Sequence, residues 1–484
     1  MKQQSIKKNY ILNTAYQVLT LIAPLITAPY LSRVFGPEGV GVYSYTNSIA
    51  TFVALFAVLG TATYGQRQIA QCRNDRYEYS KTFWEIEGLA VLTTMAYIAM
   101  WLLFSRTVDR YNLYFYLLTF QVAGAGLNIT WFYAGLENFS LIVLRNAVVK
   151  IVTVILLFAL VQKKSDLYIY IGLMAVSIFV GNISMWIPLR KFVDGIPFKD
   201  LRIHQHFRET IVYFIPTIAS SVYTYLDKTM IGIFTEGSAE NGFYEQAHRI
   251  IIMAYTVVIS LNTVMASRIS YLFAIKNTEE IKNKLDKALA FILTISIPLT
   301  FGIAGISDNF VAWFFGPGFD KVALLLKCNC PLVVILSLHN FLAAQYLIPC
   351  GYRARSTKGV LAGSAINFLC NLALIPRFQS VGAVIASLIA ESLICAIYSY
   401  MSKEYVQIKM YLKYLPLRLV AGIIMFIIIF ALGKAQFITG IVLTGLQVLV
   451  GVIIYFGVLI IMKDKFIIQC LKSVMKKLSL QGKY

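Results

Sequence analysis

The sequence predicts an all-α polytopic membrane protein of about fourteen transmembrane helices, built as two pseudo-symmetric six-helix lobes plus two extra C-terminal helices. Three observations predict it. Of 484 residues, 58% are hydrophobic and only 14% charged, whereas about a quarter of a soluble chain is charged. Charge-free runs such as "AGIIMFIIIFAL" (421–432) and "GIVLTGLQVLVGVIIYFGVLIIM" (440–462) recur from end to end, and about 20 apolar residues suffice to cross a bilayer. The Lys and Arg between the runs are strongly biased to one side. A transmembrane β-barrel would instead show short alternating segments.

Taken in order, the helix cores are expected at 10–35, 41–63, 83–104, 113–135, 141–161 and 167–189 in the first lobe. The second is expected at 210–234, 243–266, 288–307, 321–348, 359–376 and 380–400, followed by 413–433 and 438–462. The domain division that follows is 1–190, a cytoplasmic linker at 191–209, 210–402, and a last part at 403–484 with a basic tail. "MKQQSIKKNY" precedes the first run, but Ile11 to Phe35 is too long for a signal-peptide core and offers no small-residue cleavage site. It is expected to stay as the first span. The fifth run is interrupted by Arg145 and Lys150, the seventh by Asp227 and Lys228. The last two runs are apolar nearly all round, the composition of lipid-facing helices.

With the N-terminus placed in the cytoplasm, 29 of the 43 Lys and Arg fall in cytoplasmic segments and 8 on the other side. Both termini are therefore expected inside. The net charge of +20 follows from loops facing an anionic leaflet and calls for no nucleic-acid partner. The outer loops are short, and the longest polar connections, 190–209 and 267–287, are both inside. A membrane enzyme such as a glycan polymerase needs a sizeable outer loop or soluble domain for its chemistry, so no catalytic residue is assigned. No phosphate-binding G-x-x-x-x-G-K-[ST] loop occurs. The seven cysteines are scattered, and the C-x-C of Cys328 and Cys330 fits neither a zinc nor a redox pattern. No metal or cofactor is expected.

The two halves share an ordered set of features. "APLITAPYLSRVFGPEGVGVYSYTNSI" (23–49) parallels "IPTIASSVYTYLDKTMIGIFTEGSAENGFYEQAHRI" (215–250). Each has an early proline, Pro24 or Pro216, and an ionic residue near the outer end, Arg33 or Asp227. Each then has an acidic, glycine-containing turn and a Gly-x-Tyr, at Gly41 or Gly242. Repeats running in the same direction suit two lobes rocking about a central site.

Four blocks carry a resemblance: "YLSRVFGPEGVGVYSY" (30–45), "GTATYGQRQIAQCR" (60–73), "LDKTMIGIF…GFYEQAHRI", and "AINFLCNLALIPRFQSVGAVIASLIAE" (365–391). Together they resemble the polysaccharide-transporter branch of the multidrug/oligosaccharidyl-lipid/polysaccharide (MOP) exporter superfamily, with Wzx-type flippases the nearest in pattern. The resemblance implies a MATE-like fold in a bacterial cytoplasmic membrane. It also implies translocation of undecaprenyl-pyrophosphate-linked oligosaccharide repeat units to the outer leaflet for capsule or O-antigen-type polymers, by alternating access. A polymerase and other assembly proteins are the implied partners, and a proton or sodium gradient the implied energy source. Helices 13 and 14 would then offer a groove for the prenyl tail. One departure is "PRFQSVGA", where the family commonly has a glycine near Gln379.

The ionic residues within the spans are the candidate sites, because intramembrane charges are costly and mark function. Lys150 lies nine residues into its helix, about 13 Å deep at 1.5 Å per residue. With Asn146 and Thr153 it forms a polar face, and Arg145 lies nearer the cytoplasm. A cationic ladder of this kind suits a pyrophosphate head group; snorkelling or structural pairing is the competing reading. Arg67, Arg73 and Arg76 at the inner mouth either receive the phosphate or contact lipid head groups. Asp227 and Arg249 lie at matching depth on consecutive antiparallel helices and are expected to pair, with Glu245 competing for Arg249 from one turn away. The pair is either a lock between helices or part of the transport path. Asp227 continues a polar line through Pro216, Ser220 and Tyr223, while Lys228 points about 100° away. Glu391 and Asp227 are the candidates for ion coupling, the alternative being a hydrogen-bonded core acid. Arg33, Lys327, Asn128, Asn367 and Asn371 complete the polar candidates, the two last also fitting as helix–helix hydrogen-bond partners.

The alternatives in the same superfamily are a teichoic-acid precursor or lipid II flippase and a drug exporter. A scaffold subunit of a wall-synthesis complex would have no use for Lys150 or Glu391.

Overall fold

The computed structural model describes residues 6–235, 238–260, 265–435 and 438–472, without the side chains of 6–14, 198, 216, 219–220, 222–224, 238 and 265–267. Every regular element among them is helical. The chain divides into two compact units, residues 1–242 and 243–484. By length and apolarity, eight of the described helices can cross a membrane, or nine when one bent pair counts as one span. The chain is thus a multi-pass membrane protein, although this count does not return fourteen.

In the first unit, α1 (Ile6–Val58) covers two expected helices in one element, bent at Gly36 (φ 66°, ψ −178°). Only glycine takes that backbone without penalty, and Pro37 follows with no N–H to leave unpaired. The "acidic turn" of the sequence is therefore a single bend. After Gly60 come α2 (Thr61–Cys72) and α3 (Arg76–Thr107), the latter capped by Asp75, whose carboxylate accepts from the Tyr77 and Glu78 amides. The fourth expected helix is broken into α4 (Asn112–Gly126) and α5 (Thr130–Gly135). Next are α6 (Phe139–Leu160) and α7 (Leu167–Ser184), packed on each other and, through α7, on α4. The linker after α7 is docked on α3 rather than loose. Tyr79 donates to the Phe192 carbonyl (2.9 Å), Trp84 to the Asp194 carbonyl (2.9 Å), and the Arg202 amide to Glu85 (2.8 Å). Beneath it lies an aromatic core of Phe83, Trp131, Phe132 and Tyr133 with Ile69 and Ile86.

The helix α8 (Gln205–Phe234) packs on α1. Ser48 and Thr229 hydroxyls lie 2.9 Å apart between them. α9 (Ser238–Ser260) opens in the first unit and carries the chain into the second. At its start a Cβ on Gly242 would fall 2.1 Å from the Pro37 carbonyl oxygen and 3.2 Å from the Gly41 nitrogen. The paired turns of the sequence repeat thus touch each other, and glycine is what lets the backbones approach.

The second unit continues with α10 (Met265–Ala274) and α11 (Thr278–Phe314). The charged connection expected at 267–287 is mostly helical: Glu, Lys and Leu are good helix formers, and Asn277 caps α11 by accepting from the Glu280 amide (3.1 Å). The tenth expected helix is α12 (Asp320–Asn329) and α13 (Pro331–Leu342), bent by 41° at the proline. α14 (Arg353–Met401) again joins two expected helices, here across Gln379 (φ 53°, ψ −131°). The last two are α15 (Ile408–Lys434) and α16 (Gly440–Ile461), both packed on α11.

Gln379 occupies the backbone that glycine occupies at the other bend. Its side-chain oxygen accepts from Lys321 Nζ (3.1 Å) at the surface, a bond worth little. Gln379→Gly is expected to raise stability by about 1 kcal/mol, because a strained left-handed residue costs of that order. Thermal unfolding in detergent checks this; a lower midpoint than the parent would sink it.

Candidate functional site

Lys150 sits on α6, whose exposed apolar stripe is Leu144, Val148, Ile151 and Ile155. At 100° per residue Lys150, Asn146 and Thr153 fall on the opposite face. The lysine is half-buried and has no hydrogen-bond or ion-pair partner among the described residues. Its neighbours on that face do have partners. Thr153 lies 2.9 Å from the Ser177 hydroxyl of α7. Arg145 donates to the Gly181 carbonyl (2.6 Å) and to the side-chain oxygens of Asn146 and Asn182. Asn182 passes the connection to the Gly124 carbonyl of α4 (2.7 Å). Arg145 therefore ties three helices together, and Lys150 stands as the cation on this face without a fixed acceptor.

Where α2 meets α8, Arg67 is exposed and donates to the Tyr213 hydroxyl, with its guanidinium 5.9 Å from that ring. Beside it runs a buried relay. Tyr64 and His206 Nδ1 are 2.8 Å apart, and His206 Nε2 is 2.9 Å from Glu85, whose other oxygen holds the Arg202 amide. Arg73 and Arg76 are paired with Glu137 (2.5 Å) and Asp194 (2.9 Å). Arg33 is exposed near the Pro29 carbonyl (3.4 Å). Asn128 lies in the break between α4 and α5, exposed, accepting from the Thr130 amide and hydroxyl (3.2 and 2.7 Å).

Asp227 is buried at 1% exposure on α8. Lys228 of the same helix lies 6.0 Å from the Tyr225 ring centroid. The side chains of Pro216, Ser220 and Tyr223 lie outside the described residues. On α9, Arg249 pairs with Glu245 at 2.9 Å, the competition the spacing suggested.

In the second unit Glu391 is 2% exposed on α14, and its carboxylate lies 2.7 Å from His339 Nδ1 on α13. The Tyr398 ring packs edge-on against His339, 5.2 Å between ring centroids. Just past His339 the helix loosens into a wider turn, with the Ile348 amide donating to the Ala343 carbonyl five residues back (2.9 Å), a distortion frequent at functional sites. Lys327 is paired with Asp308 (2.5 Å). Asn371 donates to Asn367 (3.1 Å), so these two bond along one helix.

Sequence reasoning missed His339, Glu85 with His206, and a wholly buried pair of Arg418 (0% exposed) with Asp464. Only four histidines occur in the chain. One inside the apolar "SLHNFL" was a usable pointer to the Glu391 partner.

Comparison with known proteins agrees with this architecture. A family model described as "Polysaccharide biosynthesis protein" matches residues 6–273. The chain is 21% identical over 409 residues to a protein of Escherichia coli K12 named as an O-antigen transporter, covering 81% of this chain and 95% of the relative. It is 21% identical over 243 residues to Agl15 of Haloferax volcanii, named as a low-salt glycan biosynthesis flippase, covering 50% and 51%. Among solved structures, the lipid II flippase MurJ in an inward closed conformation superposes with a TM-score of 0.76 at 15% identity, over 95% of this chain and 99% of that one. An inward-facing MATE multidrug transporter of the MOP superfamily gives 0.56 at 14%, over 80% and 94%.

Proposed function

Since the chain belongs to the polysaccharide biosynthesis protein family, we propose that it is a flippase moving undecaprenyl-pyrophosphate-linked oligosaccharide repeat units across the bacterial cytoplasmic membrane, for capsule or O-antigen-type polymers. The observation that carries this reading is the similarity to proteins named as O-antigen transporters along 81% of the chain. The fold is a transporter's, and no enzymatic step is needed: the reaction is movement of an anionic head group past a low-dielectric barrier. Lys150 supplies the cation that offsets part of the head group's desolvation, and Arg67 receives the phosphate at the inner mouth. Two lobes alternate access about the site, with both termini in the cytoplasm, as the Lys and Arg distribution favours. Exchanging the charges of Asp227 and Arg249 tests the pairing expected from the sequence: restored folding with normal transport would mark a lock, and restored folding without transport would argue for a direct role.

Glu391 and His339 supply the coupling to a proton gradient. The Glu391 carboxylate and His339 Nδ1 lie 2.7 Å apart between α13 and α14, an acid and a base close enough to hand a proton from one to the other. Glu391→Gln is expected to retain folding and to flatten the pH dependence of transport in proteoliposomes. An unchanged pH profile would remove Glu391 from coupling.

Depletion of the protein tests the function itself. It should trap one lipid-linked repeat unit in the inner leaflet, measured by leaflet-specific labelling of the glycan. Accumulation of lipid II in its place would overturn the cargo assignment.

A further inference from the structure

The last described residues, 465–472, are helical, on the far side of a turn at Lys463 (φ 56°). The protein fixes this helix firmly. Asp464 caps it, accepting from the Ile467 amide (2.9 Å), while Arg418 from within α15 grips both Asp464 oxygens (3.1 and 3.5 Å). Arg418 also donates to Thr294 of α11 (2.9 Å) and the Tyr414 carbonyl (3.0 Å). The helix can therefore present only one face to the protein. That face is Ile467, 7% exposed, with Phe466 6.0 Å from the Arg418 guanidinium.

The rest of the helix is divided by polarity. Lys465 and Lys472, seven residues apart, project from the side opposite Ile467. Both are exposed, as is Lys463, and none of the three has an ion-pair or hydrogen-bond partner among the described residues. Leu471 remains 42% exposed on the apolar side, next to exposed Cys470. By contrast, Lys413 close by in sequence to the clasp is neutralised by Asp286 (2.8 Å).

We propose that this clasped helix is a docking surface for anionic phospholipid head groups of the leaflet at which α16 ends. An amphipathic helix with lysines on one face and uncovered apolar groups on the other lies in the membrane interface. Unpaired lysines there gain from negatively charged lipid within a Debye length. The cap and clasp set the helix's rotation, so Lys465 and Lys472 meet head groups while Leu471 meets acyl chains. This reading does not depend on the cargo.

The test uses the full-length protein, labelled at Cys470 with a polarity-sensitive fluorophore, in nanodiscs of phosphatidylcholine alone or with phosphatidylglycerol added. A Cys470→Ala protein gives the background from the other cysteines. The expected result is a blue shift in the anionic discs that reverses in high salt and is absent in the Lys463→Glu/Lys465→Glu/Lys472→Glu protein. Thermal unfolding of that variant should match the parent, since all three side chains are exposed. Equal emission in the two lipids overturns the proposal, and so does a shift that survives salt or the triple substitution.

Discussion

Arg418→Ala is expected to destabilise the second unit by about 3–5 kcal/mol, the cost of leaving one member of a buried ion pair without its partner. Arg418 is 0% exposed and Asp464 6%. The guanidinium satisfies Thr294, the Tyr414 carbonyl and both Asp464 oxygens at once. Removing it strands the carboxylate and frees the cap of the following helix. Asp464→Asn keeps the shape but loses the charge, and should fall between parent and Arg418→Ala. The informative variant is Arg418→Met/Asp464→Leu. Losing both charges together removes their desolvation penalty, so the double substitution should recover most of the loss. Thermal unfolding of the four proteins in one detergent reads this directly; additive losses in the double variant would show that the two residues do not act as a pair.

That pair also marks the limit of what the sequence discloses. The spans were legible because a bilayer demands apolar runs, and the runs at 139–160 and 440–461 end within a few residues of their expected places. The bends at Gly36 and Gln379 read as turns, since glycine, proline and charge cluster there, but whether a helix stops or merely bends depends on packing beyond the local sequence. Charged segments such as the first turns of α11 looked like loop for the opposite reason: helix propensity is blind to polarity. Single ionic residues were legible too. Lys150, Asp227 and Glu391 stand out in apolar surroundings. Their partners did not, because His339 reaches Glu391 from 52 positions away and Asp464 reaches Arg418 from beyond the whole of α16. Such pairings are set by which helix faces meet, and no spacing within one helix encodes that. Arg145 shows the same limit from the other side, its neighbours at Gly181 and Asn182 being visible only once α6 and α7 are packed.

Lys150→Ala is expected to lower transport at least tenfold while raising thermal stability. The two effects share one cause. A half-buried ammonium in a membrane helix with no partner among the described residues pays desolvation that nothing in the protein returns, so deleting it should relieve the fold. A lysine kept only for structure would show the reverse, with stability falling and transport following. An anion that arrives later would justify an uncompensated cation, and under the proposed function a pyrophosphate passing α6 would be that anion. Lys150→Arg preserves charge and phosphate affinity but is longer and planar, and should keep partial transport. Lys150→Gln keeps the length without the charge and should resemble alanine. Leaflet-specific detection of the lipid-linked glycan, with expression and unfolding measured on the same preparations, separates the outcomes. Full transport in Lys150→Ala, or a loss of transport that merely tracks a loss of stability, would remove Lys150 from the substrate path.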